Sequence, residues 1–206
     1  MIKFRFYLDF DREEAWLNNM ARNGFELVNT GFWYTFQRCE PFTAVYRIDH
    51  RMFNSRKEFH NYCTLFEDSG WQHVAGGWNS GTQYFRQINP SAGADIFSDD
   101  YSKAGRFKRM ADLWLNLALV MFTVMIALWM TGAVDLAALI QPSRLYLTPG
   151  LWERSGPAFW RAFLFETPFA VLRLGGLLFY PFALLVYGYF ALQSWRLYKK
   201  GKDHVH

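Results

Sequence analysis

Leu113 to Gly132, LWLNLALVMFTVMIALWMTG, is a run of 20 residues without a charged side chain, and it decides the fold of the chain. At about 1.5 Å rise per residue, a helix of this length spans the roughly 30 Å of hydrocarbon in a bilayer. A second run, Leu174 to Leu192, has 19 uncharged residues and includes Pro181, which a membrane helix tolerates. The two runs predict transmembrane helices over residues 111–134 and 168–195.

The charges that flank the two runs predict the orientation of the chain. Basic residues are concentrated before the first run and after the second, whereas the connecting stretch is longer and mixes both signs. The positive-inside rule then places both termini in the cytoplasm, in a two-pass protein of the cell membrane. The residues expected to set this topology and to contact anionic lipid are Arg106, Lys108, Arg109, Arg196, Lys199 and Lys200.

The remaining segments are arranged around these spans. Residues 1–90 are expected to form a cytosolic α+β domain and residues 91–110 a linker. Residues 135–167 form an extracytoplasmic loop, whose isolated charges among Trp, Phe and Leu suggest an interfacial helix. Residues 196–206 form a basic tail.

Composition excludes several classes of protein. Residues 1–110 contain 14 Lys and Arg against 13 Asp and Glu, so the basic excess lies beside the apolar runs rather than on the cytosolic domain. Direct nucleic-acid binding is therefore not expected, since phosphate contacts need clustered cations. Cys39 and Cys63 are the two cysteines, without a CxxC motif, so neither a metal site nor a cofactor is predicted.

The alternation of apolar and polar residues predicts the cytosolic fold. From Ile2 to Phe10 every second residue is apolar, the pattern of a strand with one buried face. Capping boxes at Asp11–Glu14 and Ser55–Glu58 predict the starts of two helices. Strand-like runs separate and follow these helices: FELV, GFWYTFQRC, TAVYRIDHR, WQHVA and TQYFRQI. The order predicts a ferredoxin-like βαββαβ sandwich, with two helices on one face of an antiparallel sheet and the other face open.

The stretch EDSGWQHVAGGW, residues 67–78, contains the residue types of a catalytic loop. Its spacing instead predicts a helix end at Gly70, a strand from Trp71 and a turn at Gly76 and Gly77. No histidine is placed by local spacing to activate Ser69, so no catalytic residue is assigned and the chain is not expected to be an enzyme.

The open sheet face is the candidate binding surface. Aromatic and arginine side chains give large contact area and directional bonds, which suits recognition of a protein partner. Alternation places Arg5, Tyr7, Trp33, Arg47 and Arg86 on this face. Two other interpretations stay open: the face is simply solvated, or residues 89–102 cover it.

Six stretches of residues 1–110 carry a family resemblance: EEAWLNNMARNGFEL, YTFQRCEP, VYRIDHR, EDSGWQHV, QYFRQ and IFSDDYSK. In this order they resemble the domain of unknown function 2812 (DUF2812) family. The resemblance implies a cytosolic domain followed by membrane helices. Because members are often encoded beside PadR-type transcriptional repressors, it also implies a regulatory role. It supplies no catalytic residues.

We therefore expect a membrane-anchored regulatory or sensory protein whose cytosolic domain binds a protein partner, with a PadR-type regulator as the candidate. The bilayer is the other expected partner, and a homo-oligomer is left open. The alternative is a binding protein for a small amphipathic or lipophilic molecule at the membrane interface.

Overall fold

The chain forms two compact units in a computed structural model that describes residues 1–89, 93 and 95–203. The first unit comprises Met1–Asp112 and Ala191–His206, and the second comprises Leu113–Phe190. The first unit contains β1 (Ile2–Lys3), α1 (Phe10–Arg22), β2 (Phe25–Thr30), β3 (Tyr34–Arg38), β4 (Tyr46–His50), α2 (Arg56–Asp68), β5 (Trp71–Ala75) and β6 (Thr82–Gln87). Two long helices follow, α3 (Asp100–Met130) and α4 (Gly156–Asp203).

The strands form two small antiparallel sheets, in the orders β1-β3-β2 and β4-β6-β5. The predicted α+β class is confirmed, and the single ferredoxin-like sheet is not. Both faces of the second sheet are covered. Tyr84 bonds to Glu13 of α1, whereas its neighbour Phe85 packs with Tyr62 of α2. Because successive residues of a strand point to opposite faces, the expectation of one open face is wrong for this sheet.

The two sheets belong to two copies of one βαββ unit. Helices α1 and α2 each have 13 residues and begin at positions 10 and 56, which are 46 positions apart. The same offset relates Gly24 to Gly70, which follow the two helices with φ of 78° and 84°. It also relates the register shifts at Leu27/Asn29 and His73/Ala75. The first compact unit therefore contains an internal structural duplication. Its first copy is β1, α1, β2 and β3, and its second copy is β4, α2, β5 and β6.

The first strand is much shorter than its alternating pattern predicted. Strand β1 pairs with β3 over only two residues, and Ile2, Phe4 and Phe6 are 67%, 66% and 59% exposed. The predicted buried face is therefore wrong. Trp16 of α1 packs on Tyr34 and Phe36 of β3 instead, with ring centroids 4.8 and 5.5 Å apart, so β3 supplies the core positions of this sheet.

The two predicted capping boxes have different outcomes. At α2, Ser55 accepts a hydrogen bond from the Glu58 amide at 3.2 Å, as predicted. At α1 the N-cap is Asp9, which accepts from the Asp11 amide at 3.0 Å, so the box at Asp11–Glu14 is wrong. Glu14 is buried and accepts a hydrogen bond from the Ile48 amide instead of capping α1.

The corner predicted at residues 67–78 is confirmed. Helix α2 ends at Asp68, Gly70 has a positive φ, and β5 then pairs antiparallel with β6. Trp71 lies in the core with Phe85, so this stretch shapes the fold.

The second unit consists of helical segments. Helices α3 and α4 are both long enough and apolar enough to cross a membrane, which confirms two candidate spans. Three short 3-10 helices lie between them, at Leu136–Leu139, Pro142–Leu145 and Leu151–Glu153. The predicted interfacial helix is not a separate element, because residues from Gly156 onward continue within α4.

The turn between β5 and β6 offers a test of the second βαββ copy. Gly76 has a φ of +104°, and a Cβ there would lie 2.5 Å from the Thr82 carbonyl oxygen. A Cβ at Gly77 would meet only Asn79 Oδ1, at 3.8 Å. We expect Gly76→Ala to lower the free energy of unfolding by about 1–3 kcal/mol and Gly77→Ala to change it little. Thermal unfolding of the full chain in detergent checks this, and equal losses would contradict the assigned turn.

Candidate functional site: a buried charge network around helix α3

Arg106 is the centre of the most unusual polar cluster in the first unit. It lies in the second turn of α3 with 0% of its side chain exposed. Its Nη1 donates to Glu14 at 2.5 Å and to the Ile48 carbonyl at 2.7 Å, and its Nη2 donates to Asp11 at 2.7 Å. The rings of Phe10, Phe97 and Phe107 lie 5.1–5.4 Å from the guanidinium carbon. A buried cation is tolerated only with such compensation.

Glu14 is the main counter-charge. It also accepts from the Ile48 amide at 3.0 Å and lies 3.6 Å from Arg47. Burial raises the pKa of Glu14, and the charge and hydrogen bond of Arg106 act in the opposite direction. One carboxylate thus joins α1, β4 and α3.

Arg109 makes a second set of bonds one turn further along α3. It donates to Asp49 and to the His50 carbonyl oxygen. Asp49 is buried and also accepts from the Tyr62 hydroxyl at 2.8 Å, which raises the pKa of Tyr62 together with the larger effect of burial. We call Arg106 and Arg109 with their acceptors Asp11, Glu14, Asp49 and the Ile48 and His50 carbonyls the arginine clamp.

Asp95 extends the charge network at the edge of the arginine clamp. It lies 2.9 Å from Lys103 and 3.4 Å from Arg47. Partial burial raises the pKa of Asp95, but the hydrogen bond and charge of Lys103 and the charge of Arg47 outweigh it, so the pKa is lowered. The carboxylate therefore remains ionised near neutral pH.

Glu13, beside Glu14 on α1, has a different environment. It accepts hydrogen bonds from the hydroxyls of Tyr34 at 2.6 Å and Tyr84 at 2.7 Å, which belong to the two different sheets. Burial raises the pKa of Glu13 to about 7, although the two hydroxyls act to lower it. Glu13 therefore joins the sheets through a carboxyl group that titrates near neutral pH.

His50 is the other buried titratable group. Its ring stacks on Phe10 with centroids 6.2 Å apart, and neither ring nitrogen has a hydrogen-bond partner among the described residues. Burial lowers the pKa of His50 to about 4, so the ring is neutral at physiological pH. A Cβ at Gly81 would lie 2.5 Å from His50 Cε1, so that position must remain glycine for the ring to fit.

The charge network around Arg106 connects α3 to α1 and β4. Cys63 is buried in the core with Phe85, and burial raises the pKa of its thiol to about 11, which disfavours a reactive thiolate. In the part of the chain that the structure describes, no group of three or more metal-ligating side chains lies together. The prediction of a non-enzymatic protein stays a prediction.

The five residues predicted to form one binding face lie in separate places. Arg5 donates to Tyr7 at 3.0 Å and lies over the ring of Trp16. Trp33 is exposed beside Phe4. On the other sheet, Arg47 pairs with Glu14 and Asp95, and Arg86 pairs with Glu26 and with Gln72 at 2.7 Å. The structure therefore brings Arg5 and Tyr7 together, leaves Trp33 in a separate contact with Phe4, and assigns Arg47 and Arg86 to internal bonds.

The six predicted membrane-flanking cations also divide. The expectation that Arg106 contacts lipid is wrong, because its side chain is fully buried. Arg109 is 42% exposed but bonded to Asp49. For the remaining four the lipid contact stays a prediction, and all are exposed: Lys108, Arg196, Lys199 and Lys200.

Sequence reasoning missed Glu13 and Glu14 as site residues. The signal was present in α1, because Phe10, Glu13, Glu14 and Leu17 follow the i, i+3, i+4, i+7 spacing of a buried stripe. Two carboxylates within such a stripe indicate a buried cation or hydroxyl donors elsewhere in the fold.

Removal of the central cation tests the arginine clamp. Arg106→Met leaves Glu14 buried without its cation, so we expect the free energy of unfolding to fall by about 3–5 kcal/mol. Lys108→Met, an exposed position on the same helix, is the control and is expected to change stability by less than about 0.5 kcal/mol. Chemical denaturation of the full chain in detergent measures both. Equal stability of the two variants would contradict a stabilising clamp.

The raised pKa of Glu13 predicts a pH-dependent difference in stability between the wild type and Glu13→Gln. Because its pKa rises from 4.5 to about 7 on folding, the native state binds this proton more tightly than the unfolded chain. The wild type should therefore lose about 3 kcal/mol relative to Glu13→Gln as the pH rises from 4.5 to 7. The contribution of His50 is common to both proteins and cancels in this difference. Denaturation of both chains at a series of pH values checks it, and a pH-independent difference would contradict the assignment.

Comparison with known proteins identifies the family of the chain. No curated protein and no solved structure matches the chain. Residues 9–119 match the family described as "Protein of unknown function (DUF2812)". The matched segment includes both arginines of the clamp and all of their acceptors. Since it covers more than half of the 206 residues, the chain belongs to the DUF2812 family.

Proposed function

We propose that the chain is a membrane-anchored regulatory protein whose first unit binds a cytosolic protein partner. Exposure of the long helices supports the membrane anchor. Very little of the most apolar stretch of α3 or α4 is buried within the protein. Large apolar side chains such as Met130, Leu172 and Leu185 are strongly exposed, which suits contact with lipid rather than with water. Both termini are then cytoplasmic by the positive-inside rule.

The observation that carries partner binding is an exposed aromatic patch in the segments that adjoin the first sheet. We define the aromatic patch as Phe4, Phe32 and Trp33. The ring of Trp33 lies 5.6 Å from that of Phe4 and 6.4 Å from that of Phe32. All three side chains are largely exposed. Exposed aromatic clusters of this kind are typical of binding surfaces.

The internal duplication indicates what kind of segment fits this surface. In the second βαββ copy, the edge strand β4 is covered by α3, whose arginines bond to the Ile48 and His50 carbonyls. The equivalent positions of the first copy, 46 residues earlier, are Ile2 and Phe4 of the edge region. Ile48 is fully buried and Ile2 is exposed. We therefore propose that the partner supplies a helix that covers β1 as α3 covers β4.

The arginine clamp suits a regulatory role. Helix α3 carries Arg106 and Arg109 near its start and the apolar stretch from Leu113 onward. A shift of α3 by one turn, about 5.4 Å, would withdraw Arg106 from Glu14 and leave two buried charges without partners. The fixed set of acceptors therefore favours discrete positions of α3 over a continuum. A membrane signal that moves α3 would thereby change the first unit.

The partner that we propose is a PadR-type transcriptional regulator, in keeping with what the family resemblance implies. Photo-crosslinking in native membranes tests this. A photoreactive phenylalanine replaces Phe32, which is 84% exposed, or Leu65, a 63% exposed control on α2. We expect a discrete adduct with a PadR-type regulator from position 32 and none from position 65. Trp33→Ala should reduce the adduct at least tenfold.

The outcomes of this experiment are separable. Equal adducts from both positions, or an adduct that Trp33→Ala leaves unchanged, would contradict the aromatic patch as the binding surface. Adducts with lipid alone from position 32 would contradict the protein partner and favour a membrane-facing role for the patch. An adduct with a different regulatory protein would retain the surface and exclude the PadR-type partner.

A further inference from the structure

The second unit contains a cavity of about 420 Å³ near the 3-10 helices. This volume lies within the range of small-molecule sites, which are mostly apolar with a few polar groups that fix the ligand. Leu128, Val134 and Leu177 contribute apolar wall, and Arg144 and Arg173 contribute two cations. The lining therefore has the composition of a site for an amphipathic molecule.

Arg173 is held in position by groups that leave part of its guanidinium free. Its Nη1 donates to the Leu145 carbonyl at 2.7 Å and to Glu166 at 2.6 Å. Glu166 is itself fixed by the Leu147 amide at 3.2 Å and the Thr148 hydroxyl at 2.7 Å. Within the described residues, Nε and Nη2 of Arg173 have no hydrogen-bond partner. Two donors of an oriented guanidinium thus remain for a ligand.

Arg144 adds a second cation to the same cavity. Its Nε donates to Gln141 at 2.8 Å and its Nη1 to Asp135 at 3.2 Å, so Nη2 has no partner in the portion of the chain that is described. Each arginine pairs with one carboxylate, Arg144 with Asp135 and Arg173 with Glu166, and each keeps donor nitrogens that these pairs do not use. The free donors of a guanidinium fork match carboxylate or phosphate oxygens.

We propose that this cavity binds the anionic headgroup of an amphipathic molecule, with Arg173 and Arg144 on the phosphate or carboxylate and the apolar wall on the first part of its chain. This site goes beyond the proposed partner binding by the first unit, and neither depends on the other. The anion has two conceivable sources, a membrane lipid headgroup or a free anion such as inorganic phosphate.

Two adjacent glycines of α4 provide a matched pair of variants. Gly176 lines the cavity and Gly175 does not, and a Cβ at either position would meet nothing within 4 Å. Leucine is a better helix former than glycine, so Gly176→Leu should fill the cavity without loss of folding. Gly175→Leu is the control for the substitution itself. Arg173→Gln removes the cation separately.

Calorimetric titration of the full chain in an uncharged maltoside detergent tests the site. We expect dodecyl phosphate to bind at one saturable site, with affinity lowered at least tenfold by Gly176→Leu and by Arg173→Gln and unchanged by Gly175→Leu. Weak or absent binding of inorganic phosphate would assign the site to a lipid headgroup, and equal binding would assign it to a free anion. Dodecyl trimethylammonium binding as tightly as dodecyl phosphate, or affinity unaffected by Gly176→Leu, would overturn the proposal.

Discussion

The ion pair between Arg106 and Glu14 is the interaction on which the rest of the first unit depends. The guanidinium is fully buried, and its acceptors come from α1 and β4, which are distant in sequence. Desolvation of both charges is compensated only while every partner is in place. The pair therefore adds little net stability compared with an apolar contact, but it strongly disfavours any arrangement in which α3 is shifted. The pair determines the position of α3 more than it adds to the stability of the fold.

This property explains why a charged joint suits the start of α3. An apolar contact can be replaced by another apolar contact when a helix shifts, whereas a buried arginine needs its own acceptors in place. Arg109 repeats the principle with Asp49, which is also tied to Tyr62 of α2. Helix α3 therefore bonds to α1 directly through Glu14 and is linked to α2 through Asp49 and the Tyr62 hydroxyl. Neighbouring Glu13 adds a titratable link between the two sheets, so protonation acts on the same core.

The features that could be predicted from the sequence are those that depend on nearby residues. The apolar runs, the Ser55 cap and the corner after α2 follow from composition and spacing over a few positions. The burial of the Arg106 side chain could not be predicted in this way, because its acceptor Glu14 is 92 positions away. A basic residue beside an apolar run also fits the positive-inside pattern, which predicts contact with lipid headgroups instead. The duplication was visible in NGFELV and SGWQHV, yet only the register of the strands makes it certain.

The duplication also specifies how the two copies differ. Glu14 of the first copy corresponds to the exposed His60, and Asp49 of the second copy corresponds to Lys3, so neither acidic acceptor has an acidic counterpart in the other copy. Charge therefore makes α3 specific for β4 and unsuited to β1. A helix that covers β1 must be complementary to Lys3 and to the aromatic patch, and hence apolar with carboxylates where α3 carries arginines. The internal symmetry thus assigns a chemistry to the proposed partner, opposite in charge to that of the helix that the chain supplies for itself.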